Sequence, residues 1–466
     1  MRRYLFLLAA ALALSMGTLA AGHLWVNGAR EKMDIQETVQ MGDPAAAAGL
    51  SVACRTWDRD GHLLWDTTFT PGRTEGAETV FRLSVEEESE PLQWSDSVSL
   101  LQAGDDFSVI DIINMPSMGV HRQELLLRPL QDVAARTAAG ETRTETVRLS
   151  DYYGHYPFVL DSNSGEYPNS SFSVSSEEYT WLGEYFHVKV DETMVREVTV
   201  EKNGAGQVLS AAMSRREGDS AGELRSSGVI TKQGIFLVAE SVDSSGKPDG
   251  RLECRDGPGV HLIPSRSDNR VELLSPRLFY PTGDAHALLL AATPDESELL
   301  LYTREDGKLV LTVLDPATGA VLQRLDLLEQ LAENSRLHLI EGDGLYLAVS
   351  SSDVFSLVRR EDGGYRQVLT GALELEDGEQ DLCRVGPTLV WDGRRMALAS
   401  IVSSNGSFCC FNSAVHVAVW DEGGLCFHGR YRCGLGRDPA TGVYRYFRAP
   451  LSLMFGGNNP MDFLQR

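Results

Sequence analysis

The chain has 466 residues, with 42 Lys and Arg against 66 Asp and Glu and a formal charge of −24. At 23% charged and 42% hydrophobic residues the composition is globular, which excludes a disordered chain. The negative field repels phosphate backbones and acidic surfaces, which argues against nucleic acid as a partner.

The first 26 residues read as a signal-anchor or signal peptide. Arg2 and Arg3 form a positive flank, and residues 5–21 carry no charge. The flank places the amino terminus in the cytoplasm. A secretory peptide would be cut at a small-x-small site, which Ala20-Ala21-Gly22 fits weakly. An uncleaved anchor needs about 20 apolar residues. Residues 4–26 supply that length, with Tyr4 and Trp25 at the two interfaces. The anchor is preferred, which predicts a single-pass cell-membrane protein with its body outside. Secretion after cleavage is the alternative. No Cys lies near the end of the apolar run, so a bacterial lipid attachment has no support. With only Met1 to Arg3 ahead of the run, no cytoplasmic output domain is expected.

Residues 27–49 read as a polar stalk ending in "GDPAAAAGL", whose alanines suit one helical turn. From residue 50 to 466 the pattern is short strands and tight turns. Asp60-Gly61, Asn203-Gly204, Asp306-Gly307, Asp343-Gly344, Asp362-Gly363, Asp392-Gly393 and Gly423-Gly424 each divide two alternating runs. Such pairs favour hairpins because positive φ costs Gly little. Helical spacing is confined to 130–140 and 325–335. Many short strands and few helices predict an all-β protein. A β-propeller of six to eight blades, seven preferred, absorbs them in one body.

Residues 288–327 carry the repeat most clearly: "TPDESELLLY", a turn, "LVLTVLD", then "PATGAVLQRLDL". On Pro294, Asp295, Asp315, Thr318 and Gly319 this segment resembles a blade of the TolB or YVTN type of propeller. Asp and Thr suit side-chain-to-backbone bonding in such a turn, and Gly takes the strained corner. "DRDGHLLWDTTF" (58–69) looks like a degraded copy. The layout of the whole chain also resembles exported envelope proteins of Gram-positive anaerobes. Both resemblances imply architecture and location; neither implies an activity.

Seven cysteines occur, at 54, 254, 383, 409, 410, 426 and 433, without a CxxC. One local disulfide among Cys409, Cys410, Cys426 and Cys433 is compatible with the spacing, and zinc is not. "GDSAG" at 218–222 matches G-x-S-x-G, but its polar flanks lack the strand and helix of a nucleophile elbow, so Ser220 reads as loop. "DRDGH" at 58–62 starts like a calcium loop, then places His62 and Phe69 where oxygen ligands belong. The ten histidines show no HExxH, and no P-loop or GxGxxG is present. A quinoprotein would need a Trp after the Gly in successive blades; Trp65 fits once. No cofactor and no metal are expected.

Residues 151–186 hold the most unusual composition, with ten aromatics from 152 to 186 against 8% for the chain. One reading is an irregular insertion whose rings plug an end of the β body. The other is an exposed aromatic surface for a peptide or glycan, formed by Tyr152, Tyr153, His155, Tyr156 and Trp181. The function expected is a non-catalytic extracytoplasmic binding or scaffolding module, with a protein or peptide partner or a glycan. The rivals are a carbohydrate-active propeller enzyme using paired carboxylates and an accessory factor in envelope assembly.

Overall fold

The structure is a computed structural model. It describes residues 2–30, 35–58, 63–83, 97–102, 107–108, 128–154, 158–163, 182–188, 190, 192–215, 223–243, 245–264, 274–373, 387–403, 413–433 and 445–455. Among these the body is mostly β, built of antiparallel sheets that are repeatedly four strands wide. The all-β expectation holds at that level. The chain forms two compact units: Met1–Leu92 with Leu339–Val349 and Asp353–Arg466, and Gln93–His338 with Ser350–Ser352.

In the first unit the two ends of the chain are exchanged between sheets. One sheet has the order Ile35–Gly42, Gly424–Cys433, Ser413–Asp421, Met396–Ser403, Thr388–Trp391. An early strand therefore pairs with a late one, from Ile35 opposite Cys433 to Gly42 opposite Phe427. A second sheet runs Arg445–Phe455, Leu50–Asp58, Leu63–Phe69, Glu78–Leu83, so a late strand pairs with early ones. Val52, Cys54, Phe69, Val415, Val417, Phe427, Tyr431 and Leu453 bury together between these sheets. Tyr431 donates to Glu37 at 2.7 Å, tying the edge strand down. Part of the expected stalk, Ile35–Gly42, is thus a strand, and Pro44–Ala47 forms the short 3-10 turn read from the alanines. A third sheet, Leu337–Gly342, Leu345–Ser350, Val354–Glu361, Gly364–Ala372, lies here but for the ends of its first two strands. Its core includes Trp420, fully buried, with Phe355 edge-on at 5.9 Å.

The second unit holds a six-stranded sheet, Arg277–Pro281, Gly259–Pro264, Gly234–Val242, Glu223–Thr231, Ser97–Gln102, Phe158–Asn163. It also holds a four-stranded sheet, Phe107–Ser108, Val208–Arg215, Val195–Lys202, Thr142–Arg148. The helix Arg128–Arg136 lays Leu130 and Val133 on Val147, Val198 and Met213 of that sheet, as its spacing predicts.

The segment that resembles a propeller blade is a four-stranded meander: His286–Ala292, Leu299–Glu305, Lys308–Leu314, Val321–Leu328. Its turns follow side-chain chemistry. Asp295 accepts from the Ser297 N–H at 3.2 Å and from its hydroxyl at 2.7 Å. Asp306 and Gly307 have φ of 50° and 81°, both positive as a two-residue I′ turn requires. Asp315 accepts from the N–H groups of Ala317 and Thr318, and Thr318 accepts from that of Ala320. Gly319 takes φ 74°, and a Cβ there would lie 3.0 Å from the Phe279 carbonyl oxygen. Gly319→Ala is therefore expected to cost about 1–2 kcal/mol, read as a lower urea midpoint at unchanged m-value.

Three expectations change. Residues 325–328, read as the start of a helix, end the strand Val321–Leu328, with Leu325 opposite Leu311. Cross-strand pairing overrides a local helical spacing there. The Asn203-Gly204 hairpin has a longer loop: Asn203 accepts from the N–H groups of Ala205 and Gln207, and Gly206 carries the positive φ. Positive φ likewise falls on Gly364 rather than Gly363. Asp60-Gly61 lies outside the described residues.

Candidate functional site

In the second unit, Tyr185, Asp256 and His261 meet although 76 positions separate the tyrosine from the histidine. Three short elements position them. The strand Phe186–Val188 pairs with Leu252–Cys254, setting Phe186 opposite Cys254. The Arg255 N–H donates to the Tyr185 carbonyl at 3.0 Å, and the Gly257 N–H to the Cys254 carbonyl at 2.9 Å. That turn swings Asp256 over the tyrosine. His261 comes from Gly259–Pro264, opposite Leu237 and Leu278. Gly259 permits this approach, since a Cβ there would lie 2.2 Å from the Tyr280 carbonyl oxygen.

The Tyr185 hydroxyl donates to Asp256 Oδ2 at 3.1 Å, and His261 Nδ1 lies 3.0 Å from the Tyr185 hydroxyl oxygen. A hydroxyl that donates to the carboxylate accepts from the ring, so His261 carries its proton on Nδ1. Its Nε2 then buries a bare lone pair, with no partner at hydrogen-bond distance. Phe186 meets the imidazole edge-on at 5.0 Å, and Leu182, Val188, Leu237 and Ile263 pack into the same core. Burial pushes His261 down to about 4, against the pull of Asp256. Burial, then the bond to Asp256, raises Tyr185 well above the ordinary phenol range. Burial also pushes the Cys254 thiol up to about 12. Near neutrality all three groups are uncharged, and the lone pair on His261 Nε2 is buried. What it shows to solvent is Arg255, stacked 4.9 Å over the Tyr185 ring, beside Asp256 at 3.6 Å. Tyr185 and His261 fix the platform; Arg255 and Asp256 are displayed on it.

The residues nominated from sequence divide. Tyr153 is in the core with Leu149, Leu182 and Tyr185. Tyr152 is half-buried and donates to Asp132 at 2.7 Å, across to the helix Arg128–Arg136. Burial, then that bond, pushes Tyr152 up to about 12. His155, Tyr156 and Trp181 lie outside the described residues, as do Ser220 and residues 59–62. Trp65, the lone match to a quinoprotein pattern, is fully buried against Phe81. Cys54 is buried, Cys254 and Cys426 are free thiols, and Cys383, Cys409 and Cys410 lie outside the described residues. Among the described residues no group of three His, Cys, Asp or Glu is placed to hold a metal. Sequence reading missed Arg255, Asp256 and His261; only Tyr185 lay inside the aromatic stretch that drew attention.

No protein-family profile and no curated protein matches the chain, so the blade resemblance rests on residues 288–327 alone. Among solved structures, a candidate 6-phosphogluconolactonase from Bacteroides fragilis is 14% identical, with 85% of each chain covered and a TM-score of 0.26. The β-propeller domain of Swd1 from Myceliophteria thermophila is 11% identical over 53% of this chain and 84% of that one, with a TM-score of 0.24. An auxiliary nutrient binding protein from Bacteroides ovatus is 14% identical over 55% of each chain, also with a TM-score of 0.24. Scores this low carry no argument, and the fold rests on the strands and registers given above.

Proposed function

We propose that the protein is a non-catalytic binding or scaffolding module with a propeller-type body, tethered to a membrane by its first helix and facing outward. The observation that carries the reading is the candidate site: its acid–base groups are buried and neutral, and it presents a fixed pair of opposite charges. A protein or peptide surface is the partner class that such a display suits.

Two features support the architecture. Exchange of the chain ends between sheets is how a ring of sheets would be locked without leaving a long edge. Six of the described sheets have four strands or more, which fits six to eight blades and leaves seven as the preferred count. The tether reading rests on the helix Arg2–Arg30. Leu12, Leu14, Met16, Leu19 and Leu24 are all exposed, and at 100° per residue they spread around it. A helix apolar on every side needs a nonaqueous surround. Among the described residues no helix is long and apolar enough to cross a membrane. The continuous run whose side chains are described, 10–24, is shorter than the roughly 20 residues a span needs.

Fractionation of native cells with amino-terminal sequencing tests the location. The expected result is membrane-bound protein with residues 1–26 retained and a body shaved from intact cells by external protease. A start at His23 replaces the tether by secretion, and a protected body overturns the outward orientation. Turnover of a polysaccharide by the purified chain overturns the non-catalytic reading.

A further inference from the structure

The sheet that takes up Ile35–Gly42 has five strands, whereas four other sheets of the described residues have four. Without that strand it is still a four-stranded sheet, from Thr388–Trp391 to Gly424–Cys433. The chain ends also stay joined without it, because Arg445–Phe455 pairs with Leu50–Asp58 further along the chain. Ile35–Gly42 is therefore an addition to a sheet already whole. As the first strand in the chain, it can leave its neighbour without dragging a preceding strand with it.

The strand and the turn that follows it are held unequally. In Ile35–Gly42 only Ile35 is buried, and a bulge between Val39 and Met41 interrupts the ladder. In Ser413–Asp421 of the same sheet, Val415, Val417, Val419 and Trp420 are all fully buried. Glu37 adds two bonds to the ladder, accepting from the Tyr431 hydroxyl at 2.7 Å and the Gly72 N–H at 2.9 Å. The turn after the strand is anchored more firmly. Ala47 and Leu50 are fully buried. Arg395 donates to the Ala46 carbonyl at 2.6 Å and to the Ala48 carbonyl at 3.2 Å, and is itself held by Asp392 at 2.9 Å. Gly42 marks the boundary, with φ 78° and a Cβ position only 1.9 Å from the Cys426 carbonyl oxygen. Segments with few buried apolar contacts open first, so the strand is the weak half and the turn the strong one.

We infer that Ile35–Gly42 is a releasable strap, which opens from Gly424–Cys433 as a unit up to Gly42 while the Arg395 clamp on Ala46 and Ala48 keeps the body closed. Its eight residues, once free, span up to about 26 Å, which gives the body a tether of two lengths. The two lengths rest on the tether reading. Release itself is read on the purified chain, whether or not residues 1–26 are retained in cells, so the two can fail separately.

The test is native-state hydrogen exchange, followed by mass spectrometry, on the full-length protein purified in detergent. Amides of 35–42 are expected to exchange together, about a hundredfold or more faster than those of 413–421, with 45–50 remaining slow. Tyr431→Phe keeps the ring and removes a donor to a carboxylate. It is expected to speed exchange of 35–42 about tenfold and to leave 413–421 unchanged. Arg395→Gln is expected to spread fast exchange into 45–50. If that variant does not fold, Tyr431→Phe decides the matter. The proposal is overturned if 35–42 exchanges no faster than 413–421, if 45–50 opens with the strand in the parent protein, or if Tyr431→Phe accelerates both strands equally.

Discussion

Replacing Asp66 by alanine is expected to destabilise the first unit by about 3–5 kcal/mol. Arg55 and Asp66 face each other across the strands Leu50–Asp58 and Leu63–Phe69. Arg55 Nε meets Oδ1 at 2.7 Å and Nη2 meets Oδ2 at 3.4 Å, a fork-to-fork contact in which the side chains are 1% and 0% exposed. Truncating the acid takes its two-pronged partner from a buried guanidinium, whose desolvation then loses that compensation. The damage falls on the sheet that takes up the late strand Arg445–Phe455, so closure of the chain ends weakens with it. Arg55→Met with Asp66→Leu removes both charges at similar volume and is expected to be neutral or stabilising by about 1–4 kcal/mol. Urea unfolding followed by the fluorescence of buried Trp65, which lies on the same sheet, measures both. A loss below about 1 kcal/mol in Asp66→Ala would show that the pair is hydrated in solution. If the double variant were as unstable as the single one, the cost would lie in packing and not in charge.

What could be read from the sequence was what local chemistry decides. Asp306-Gly307 and Asp343-Gly344 were legible because two successive residues at positive φ leave few choices of side chain. Asp315, Thr318 and Gly319 were legible because each makes its bond within five residues. Ile35–Gly42 was not, since its partner lies at the far end of the chain and its own pattern is polar. The residues 325–328 misled for the converse reason: their spacing is helical, and only Lys308–Leu314 alongside makes them a strand. The candidate site failed the same way. Nothing near Tyr185 announces His261, and nothing in "LLLYTRE" distinguishes a buried Arg304 from the polar end of an edge strand. Turn chemistry is local, whereas burial of a charge or a lone pair is a property of the assembled sheets.

Acidification from pH 7 to pH 5 is expected to destabilise the fold through its buried histidines. His261 is pushed down to about 4 by burial. His416 and His428, side by side at 3.1 Å on neighbouring strands, are pushed down to about 3 and about 4, by burial and for His416 also by the charge of its neighbour. The sign follows from which state takes the proton. Once unfolded, each imidazole titrates near 6.5. Below that pH the unfolded chain binds protons that the folded chain refuses, so stability is full above about pH 6.5 and falls until the folded values near 3–4 are reached. For a histidine held at about 4 the loss between pH 7 and pH 5 is about 2 kcal/mol. The lowered carboxylates, Asp256 among them, titrate below this window and add nothing to it. Glu341 acts in the opposite sense: desolvation pushes it up to about 7, so it favours the folded state as pH falls. Its residue is exposed at the end of its strand, and solvent screens much of that effect. Urea titrations at pH 7, 6 and 5 are therefore expected to give midpoints that fall steadily, with protons taken up on unfolding. His261→Gln should flatten the slope by the share of one histidine in the second unit, while the His416–His428 share persists. Stability independent of pH between 7 and 5 would mean that these rings reach water in the folded state, and the closed, neutral platform beneath Arg255 and Asp256 would be lost with them.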